Sequence, residues 1–339
     1  MSRVGIVAIG RNEGERFQRC LRSLATSGAP VVYVDSGSDD GSVPAALASG
    51  ASVVELDNTI SFTAARARNA GFEKLVAEHP AVAYVQFIDG DCELDPGWLA
   101  TALPVLDANP DLAVACGRRR EFYPEKSIYN DLCDIEWDTP VGDAKSCGGD
   151  ALMRVSAFRA AGGFTATLIA GEEPELCVRL RKLGFRIHRL RSEMTRHDAA
   201  MLRFSQWWKR ALRSGHAFAQ GAAMHGGKGE RHWVRETGSI VAWALVLPLA
   251  ILLLLALGKP WGLVLLAAYP ALAARIWLKR REGLGARRAA FFALFCVLAK
   301  FPQLLGAARF LRLGFGGAGG LIEYKLAPQH QSVPPRRGQ

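Results

Sequence analysis

Residues 83–91 have the sequence Ala-Tyr-Val-Gln-Phe-Ile-Asp-Gly-Asp. Apart from Gln86 the first six are apolar, which is typical of a buried strand, and Asp89 and Asp91 follow at the point where that strand ends. Two carboxylates one residue apart are costly unless a positive group lies between them. A hard divalent cation with oxygen ligands is the usual solution, and it can also hold a diphosphate. A β-turn, which favours Asp and Gly, is the alternative for this tripeptide taken alone.

Short strands and helices alternate before this segment. Residues 4–9 and 31–34 are runs rich in β-branched residues, and the segment between them has apolar residues at helical spacing. A helix around residues 64–76 precedes the strand that ends at Asp89. This alternation predicts an α/β domain with a mostly parallel sheet covered by helices. Ligands of such sheets bind at the carboxyl ends of the strands, which is where Asp89 lies.

Two further segments carry candidate ligand-binding residues. Asp35 follows the strand at 31–34 and precedes a glycine-rich turn. Such an arrangement presents a carboxylate to a base or ribose, and an Asx-type turn is the alternative. Arg66 and Arg68 open the predicted helix, where the helix dipole does not favour cations. Their position indicates an anionic ligand, with a solvated helix face as the alternative.

Charge is distributed unevenly along the chain. The 339 residues include 42 Lys and Arg against 32 Asp and Glu, a net charge of +10. Residues 1–178 have a net charge of −11, whereas residues 179–236 carry +10 and residues 237–339 carry +11. Because the region expected to be globular is acidic, the sequence argues against nucleic acid as a partner.

The cysteines and the first residues indicate an intracellular start. The seven cysteines are scattered and include no C-x-x-C pair, which predicts reduced, mostly buried thiols in a cytosolic compartment. Residues 1–10 pass directly into a strand-like run, without the charged and then apolar pattern of a signal peptide. We therefore expect the first part of the chain to stay in the cytoplasm.

Two apolar segments predict a transmembrane hairpin at residues 237–278. Residues 240–257 are an unbroken apolar run that is long enough to cross a bilayer as a helix, and residues 261–278 are a second candidate span. The following loop, residues 279–288, carries five basic residues, against one lysine, Lys259, in the turn between the spans. The positive-inside rule places the basic loop, and with it the preceding domain, in the cytoplasm.

A third apolar stretch, residues 289–308, allows two interpretations. Lys300 lies in its middle, and a charge near the bilayer centre is costly, which favours an interfacial or re-entrant helix. Its length also permits a third span. We assign residues 279–326 to the basic loop and this third membrane or interfacial helix, and residues 327–339 to a disordered tail.

Six motifs resemble, in order and spacing, those of the inverting nucleotide-sugar glycosyltransferases of family 2. The resemblance covers roughly residues 1–200. It implies the GT-A fold, an α/β, Rossmann-like cytoplasmic domain, here followed by a helical membrane region at the C-terminus. The motifs are Ile-Gly-Arg-Asn-Glu (9–13), Val-Asp-Ser-Gly-Ser-Asp-Asp-Gly-Ser (34–42), Ala-Arg-Ala-Arg-Asn-Ala-Gly (65–71), Phe-Ile-Asp-Gly-Asp (87–91), Gly-Gly-Phe (162–164) and Gly-Glu-Glu-Pro-Glu-Leu (171–176).

The resemblance also implies roles for individual residues. Asp89 and Asp91 would hold Mg²⁺ or Mn²⁺, with Asp91 as the direct ligand and His197 as a further contact; a structural histidine is the alternative. Glu172 and Glu173 match the family's acidic pair that supplies the catalytic base, and Glu173 stands where the family has aspartate. Either of the two could be the base. The nucleotide sugar would be held by Asn12, Glu13, Asp35, Arg68, Asp89, Gly149 and Asp150.

Residues 201–236 are rich in aromatic and basic side chains, which predicts amphipathic helices at the membrane interface. Such helices attract anionic lipid or a lipid-linked phosphate, and ordinary packing between the two parts of the chain is the alternative. Residues 205–210 partly match the Q-x-x-R-W segment of processive synthases, and the mismatch argues against processive polymerisation. The candidates for acceptor or lipid contact are Gln206, Trp207, Trp208 and Arg210.

The sequence thus predicts a metal-dependent, multi-pass glycosyltransferase of the bacterial inner membrane, with its catalytic domain in the cytoplasm. It would move a sugar from a nucleotide diphosphate sugar to a lipid-linked or cell-envelope glycan acceptor. One alternative is transfer to polyprenyl phosphate itself. Another is a non-catalytic subunit that binds nucleotide sugar within a membrane complex, because Glu173 replaces the aspartate.

Overall fold

The computed structural model describes residues 2–57, 59–227 and 229–314. Within these residues nine strands form one sheet. The strands are β1 (Val4–Gly10), β2 (Val31–Asp35), β3 (Ser52–Glu55), β4 (Tyr84–Asp89), β5 (Cys92–Leu94), β6 (Leu112–Glu121), β7 (Gly142–Asp143), β8 (Ala151–Arg154) and β9 (Arg186–His197).

Helices alternate with the strands, as the periodicity of the sequence predicts. We call the sheet and its first seven helices the head, and helix α8 leads from the head to three apolar helices. The helices are α1 (Glu15–Ala25), α2 (Ser42–Ala48), α3 (Ala64–Glu78), α4 (Trp98–Ala108), α5 (Ile128–Trp137), α6 (Val155–Ala160), α7 (Glu172–Lys182) and α8 (Phe204–His225).

The sheet has the strand order β3-β2-β1-β4-β8-β6-β9-β5, with β7 paired to β9. The first four strands in this order run parallel, as predicted. Strand β8 runs antiparallel to both β4 and β6, and β5 and β7 run antiparallel to β9, while β6 and β9 are parallel. The sheet is therefore parallel in its first half and mixed in its second. An apolar run identifies a buried strand, but it does not fix the direction in which that strand enters the sheet.

Helix α3 approaches the sheet closely at Gly71. A Cβ atom at this position would overlap Val7 of β1 and would lie 2.7 Å from Val34 Cγ2 of β2. A larger residue would therefore push the helix away from the sheet. The close approach lets Arg68, three residues earlier on α3, reach Asp89 at the end of β4.

Three of the described helices are long and apolar enough to cross a membrane: Val234–Ala256, Pro260–Leu284 and Ala286–Leu313. We call them the first, second and third apolar helices. The first contains a π-helical turn at Ala242–Val246, directly before the turn that holds Pro248. Since proline lacks an N–H group, such a turn accommodates it without ending the helix. A globular head followed by these helices indicates a membrane-anchored chain.

The third apolar helix packs against α8 through two glycines. A Cβ atom at Gly215 of α8 would overlap the backbone of Gln303, and one at Gly306 would overlap the backbone of Leu212. The stretch for which we predicted either a third span or an interfacial helix is therefore one helix docked onto α8. Residues 315–326 and the predicted tail at 327–339 lie outside the described residues.

All seven cysteines are free, and six of them are buried, in agreement with the predicted reduced thiols. The exception is Cys296 on the third apolar helix, which is partly exposed.

Candidate active site

The two acidic clusters predicted from the sequence lie at the ends of β2 and β4, the two strands that flank β1. Gly10 at the end of β1 pairs with Asp35 of β2, and Ile9 pairs with Asp89 of β4. Parallel strands end at the same edge of a sheet, so both aspartates flank the carboxyl end of β1. A cavity of about 600 Å³, which we call the first cavity, opens at this edge. Its size is that of a small-molecule site.

Asp89 is clamped between two arginines. Arg68 Nη2 lies 2.7 Å from Asp89 Oδ1, and Arg119 Nη2 lies 3.0 Å from Asp89 Oδ2. Arg68 also donates through Nη1 to Glu172 Oε1 at 2.7 Å, and its side chain is only 3% exposed. The buried Arg68 thus joins the end of β4 to the start of α7. Charges buried in this way need such partners to offset the loss of hydration.

Asp150 is hydrogen-bonded to this cluster but does not line the first cavity. It is fully buried, and its Oδ1 accepts the backbone N–H of Asp89 at 3.0 Å while its Oδ2 accepts the Thr195 hydroxyl at 2.7 Å. Arg119 Nε lies 3.4 Å from the same carboxylate. Asp150 therefore positions Asp89, whereas the neighbouring Gly149 lines the first cavity. A Cβ at Gly149 would lie 2.9 Å from Arg68 Nη2, so glycine lets this guanidinium approach.

Asp91 and His197 form a buried pair. His197 Nε2 lies 3.0 Å from Asp91 Oδ2, and with Cys92 the three residues offer ligand atoms within 4.8 Å of one another. Burial and the nearby Arg119 lower the pKa of His197 to about 3, so its imidazole is neutral at physiological pH. A carboxylate oxygen and a neutral imidazole nitrogen can both bind a divalent cation. Since Asp91 also lines the first cavity, the donors present fit the predicted metal ion.

Glu172 and Glu173 begin helix α7 and line the first cavity. Glu173 Oε1 accepts hydrogen bonds from the Cys147 backbone N–H at 2.5 Å and from Cys177 Sγ at 3.4 Å. Burial raises the pKa of Glu173 above its ordinary value, and the Cys147 amide opposes this only in part. The two glutamates therefore differ: Glu172 is ion-paired to Arg68, and Glu173 is bound by neutral donors.

The family model described as Glycosyl transferase family 2 matches residues 6–159, a region that contains β1 to β4, Asp35, Asp89 and Asp91. Over these residues the head matches glycosyl transferase family 2. This agrees with the family predicted from the six motifs.

The first of three similar solved structures supports the same fold. A mannosyltransferase from Pyrobaculum calidifontis, in complex with GDP-Man and Mn²⁺, is similar over 87% of this chain and 86% of that chain, with 21% identity and a TM-score of 0.59. S. aureus TarS 1–349 aligns over 91% of both chains with 15% identity and a TM-score of 0.49. Glucosyl-3-phosphoglycerate synthase from Mycobacterium tuberculosis aligns over 67% of this chain and 81% of that chain, with 17% identity and a TM-score of 0.45. The predicted GT-A fold is confirmed.

In the glycosyltransferase head, Asp35 organises a turn. Its Oδ2 accepts the backbone N–H groups of Gly37 and Ser38 at 2.9 and 2.7 Å, and Tyr33 donates its hydroxyl to Oδ1 at 2.8 Å. This is the Asx-type turn that the sequence left as an alternative. The carboxylate supports the loop after β2, whose Ser36 lines the first cavity.

Asn12 and Glu13, also predicted to hold the nucleotide sugar, line the first cavity. Asn12 has a positive φ of 54° and its Oδ1 accepts the Asp39 backbone N–H at 2.9 Å, which ties the loops after β1 and β2 together. Glu13 is ion-paired to Arg16 at 2.8 Å. Arg66, whose position indicated an anionic ligand, instead donates to the backbone carbonyls of Ile60 and Asp57.

Two of the predicted lipid or acceptor contacts have structural partners. Gln206 is buried, and its Oε1 accepts the backbone N–H groups of Leu202 and Arg203, both at 2.9 Å, at the start of α8. Trp207 is buried against Phe295 of the third apolar helix, with ring centroids 4.8 Å apart. For these two residues the alternative of ordinary packing describes the structure, because a glutamine at this position satisfies helix N-terminal amides.

The other two predicted contacts are more accessible. Trp208 is partly exposed, with its ring 5.7 Å from that of Phe204. Arg210 lines the first cavity and donates to Glu136 Oε2 at 2.6 Å.

Arg119 is the residue that sequence reasoning missed. It lies in the run Arg118-Arg119-Arg120 on β6, where side chains alternate between the two faces of the sheet. Arg119 contacts the Asp89 cluster, whereas Arg120 on the other face pairs with Glu193 near the surface. Three consecutive arginines in a buried strand are a detectable signal, since at least one must lie among acidic partners.

Proposed function

We propose that this protein is an inverting, metal-dependent glycosyltransferase that uses a nucleotide diphosphate sugar. Its acceptor is a lipid-linked or cell-envelope glycan molecule at the cytoplasmic face of the bacterial inner membrane. The observation that carries this proposal is the first cavity, which is lined by Asp91, Arg68 and the two glutamates of the head on one side and by α8 on the other.

The donor is inferred from the family and from the chemistry of the cavity. The match to family 2 supports glycosyl transfer, and the similar mannosyltransferase structure is a complex with GDP-Man and Mn²⁺. Asp91 and His197 would hold Mg²⁺ or Mn²⁺, which when bound neutralises the charge of the leaving diphosphate. Glycines at positions 10, 90 and 149 line the same cavity and let a ligand approach the backbone.

Glu173 is the better candidate for the general base. In the reaction an acceptor oxygen forms a bond to the anomeric carbon, the bond from that carbon to the diphosphate breaks, and the acceptor proton passes to a carboxylate. A single displacement of this kind inverts the anomeric centre. A base with a raised pKa accepts a proton more readily, and Glu173 has this property while Glu172 is engaged with Arg68.

The proposal is tested with the purified full-length protein and a panel of nucleotide sugars with Mn²⁺. A bound donor raises the melting temperature, and turnover releases nucleotide diphosphate. Asp91→Ala should abolish the metal dependence of both readouts, whereas Asp111→Ala, which removes an exposed carboxylate paired with Arg186, should not. A protein that binds donors but never releases nucleotide diphosphate with any acceptor would instead be the non-catalytic subunit.

A further inference from the structure

A second cavity, of about 430 Å³, adjoins the first. It lies between helices α5 and α8 and the three apolar helices. The two cavities share three lining residues, Arg210, Ser214 and Phe218. These residues are four positions apart on α8 and therefore lie on one face of the helix. The space that contains the candidate base thus meets, along α8, a space bounded by membrane helices.

The wall that the apolar helices contribute to the second cavity combines hydrocarbon and aromatic side chains with a smaller polar set, Glu236, Ser239, Lys300 and Gln303. The second apolar helix provides Leu272 and Ile276, and the third provides Phe292, Phe295 and Ala299. Apolar surface of this kind favours contact with an aliphatic chain.

The charged residues that line the second cavity have a net charge of zero. The carboxylates Glu136 and Glu236 are accompanied by Arg210 and Lys300, and Arg210 donates to Glu136 at 2.6 Å. The second cavity therefore carries no excess charge that would repel an aliphatic chain or a phosphate.

Helix α8 adds positive charge on the side of the first cavity. Arg213 lines the first cavity one position before Ser214, and it makes no ion pair with any residue that the structure describes. Arg210 marks the point where the two cavities meet. Arg210, which donates to Glu136, and Arg213 lie three positions apart on α8, about one helical turn, and guanidinium groups bind a phosphate through parallel hydrogen bonds.

We propose that the acceptor is a lipid phosphate whose aliphatic chain occupies the second cavity and whose phosphate lies between Arg210 and Arg213. This rests on the proposed glycosyl transfer and names the acceptor class for the same site. An amphiphile fits both observations at once: the second cavity carries the apolar side chains of the membrane helices, and Arg210 and Arg213 lie where or near where it meets the first cavity. The reacting end of the lipid then lies in the first cavity, which Glu172 and Glu173 line.

Cys296 provides a reporter that is independent of catalysis. It lines the second cavity and is the one cysteine of seven that is not buried. The rate at which N-ethylmaleimide alkylates Cys296 in the full-length protein, held in phosphatidylcholine nanodiscs, therefore measures access to the cavity. Cys296→Ser gives the background rate of the buried thiols.

Farnesyl phosphate should slow the alkylation of Cys296, by about tenfold when its free concentration is roughly ten times its Kd. Farnesol should protect far less, and inorganic phosphate should not protect. Equal alkylation rates with and without farnesyl phosphate would overturn the proposal, and equal protection by farnesol would overturn the role of the phosphate. The protection of Cys296 by farnesyl phosphate is compared with its protection by a farnesyl diphosphate sugar. Stronger protection by the first indicates a monophosphate acceptor, and stronger protection by the second indicates a diphosphate-linked glycan.

Variants separate this inference from the proposed function. Arg213→Gln should remove most of the protection by farnesyl phosphate and leave donor-induced thermal stabilisation unchanged. Lys209→Gln, an exposed neighbour that lines neither cavity, should leave both unchanged. Ala299→Phe should fill the second cavity and abolish protection, whereas Leu294→Phe, on an exposed position of the same helix, should not. If farnesyl phosphate protects Cys296 but no nucleotide sugar raises the melting temperature, the proposed glycosyl transfer alone is refuted. If a nucleotide sugar raises the melting temperature but farnesyl phosphate does not protect Cys296, the lipid site alone is refuted.

Discussion

The two walls of the first cavity differ in how their charges are held. On the head side Asp89 and Glu172 are fixed by the buried Arg68, and Asp89 is held again by Arg119. On the α8 side Arg210, which is about a quarter exposed, is paired with Glu136, and Arg213 makes no ion pair with any residue that the structure describes. A cluster fixed around a buried arginine suits charge that develops at one point in a reaction, whereas a less constrained arginine on a helix suits recruitment of an anionic ligand. We infer that the head performs the chemistry and α8 selects the acceptor.

The largest effect should come from the candidate base. Glu173→Gln keeps the shape of the side chain and removes its ability to accept a proton, so kcat with an acceptor that attacks through a hydroxyl group should fall by about a thousandfold. Donor binding, measured by thermal stabilisation, should change little. Glu172→Gln is the matched comparison, and a larger loss of kcat in that variant would transfer the role of base to Glu172.

Loss of the metal ligand should have the next largest effect. Asp91→Ala should lower metal-dependent kcat by about a hundredfold or more, because a cation contributes several kcal/mol to charge stabilisation. Isothermal titration with Mn²⁺ should show weakened binding in the same variant. Unchanged Mn²⁺ affinity would remove Asp91 from the metal site.

Substitutions of the neighbouring residues Arg119 and Arg120 should lower the free energy of unfolding by different amounts. Arg119→Gln leaves Asp89 and the fully buried Asp150 short of a cation, and it should lower the free energy of unfolding by about 3 kcal/mol. Arg120→Gln breaks an ion pair with Glu193 that is largely solvent-exposed, and it should cost less than about 1 kcal/mol. Equal losses in denaturant titrations would contradict the clamp described for Asp89.

The pH dependence of kcat should report the raised pKa of Glu173. A general base works only when deprotonated, so kcat should fall as the pH drops through this pKa, which lies above the ordinary glutamate value of 4.5. A pH–rate profile that stays level down to the ordinary value would contradict this assignment.

The sequence predicts the local parts of the site well. The apolar run before Asp89 places Asp89 and Asp91 at a strand end. The acidic residues that follow Gly171 place Glu172 at the start of a helix. It could not predict Arg119, because its contact with Asp89 depends on how β6 and β8 are arranged beside β4, and strand order is not encoded in periodicity. It could not choose between ligand and turn for Asp35 either, since an aspartate serves both purposes.

The same limit explains the predictions for α8. The composition of residues 201–236 indicates an amphipathic segment, but it does not say which side chains are buried. Gln206 and Trp207 became structural because the helix begins at Phe204 and docks against the third apolar helix. Arg210 stayed on the cavity wall because it lies one turn further along.

The division between head and α8 is tested most directly by the kinetics of Arg213→Gln with a lipid phosphate acceptor. We expect the KM for the acceptor to rise by about tenfold while kcat stays near that of the wild type, since one charged hydrogen-bonding group is worth roughly 1.5 kcal/mol. A fall in kcat with an unchanged acceptor KM, the pattern expected of Glu173→Gln, would contradict this division.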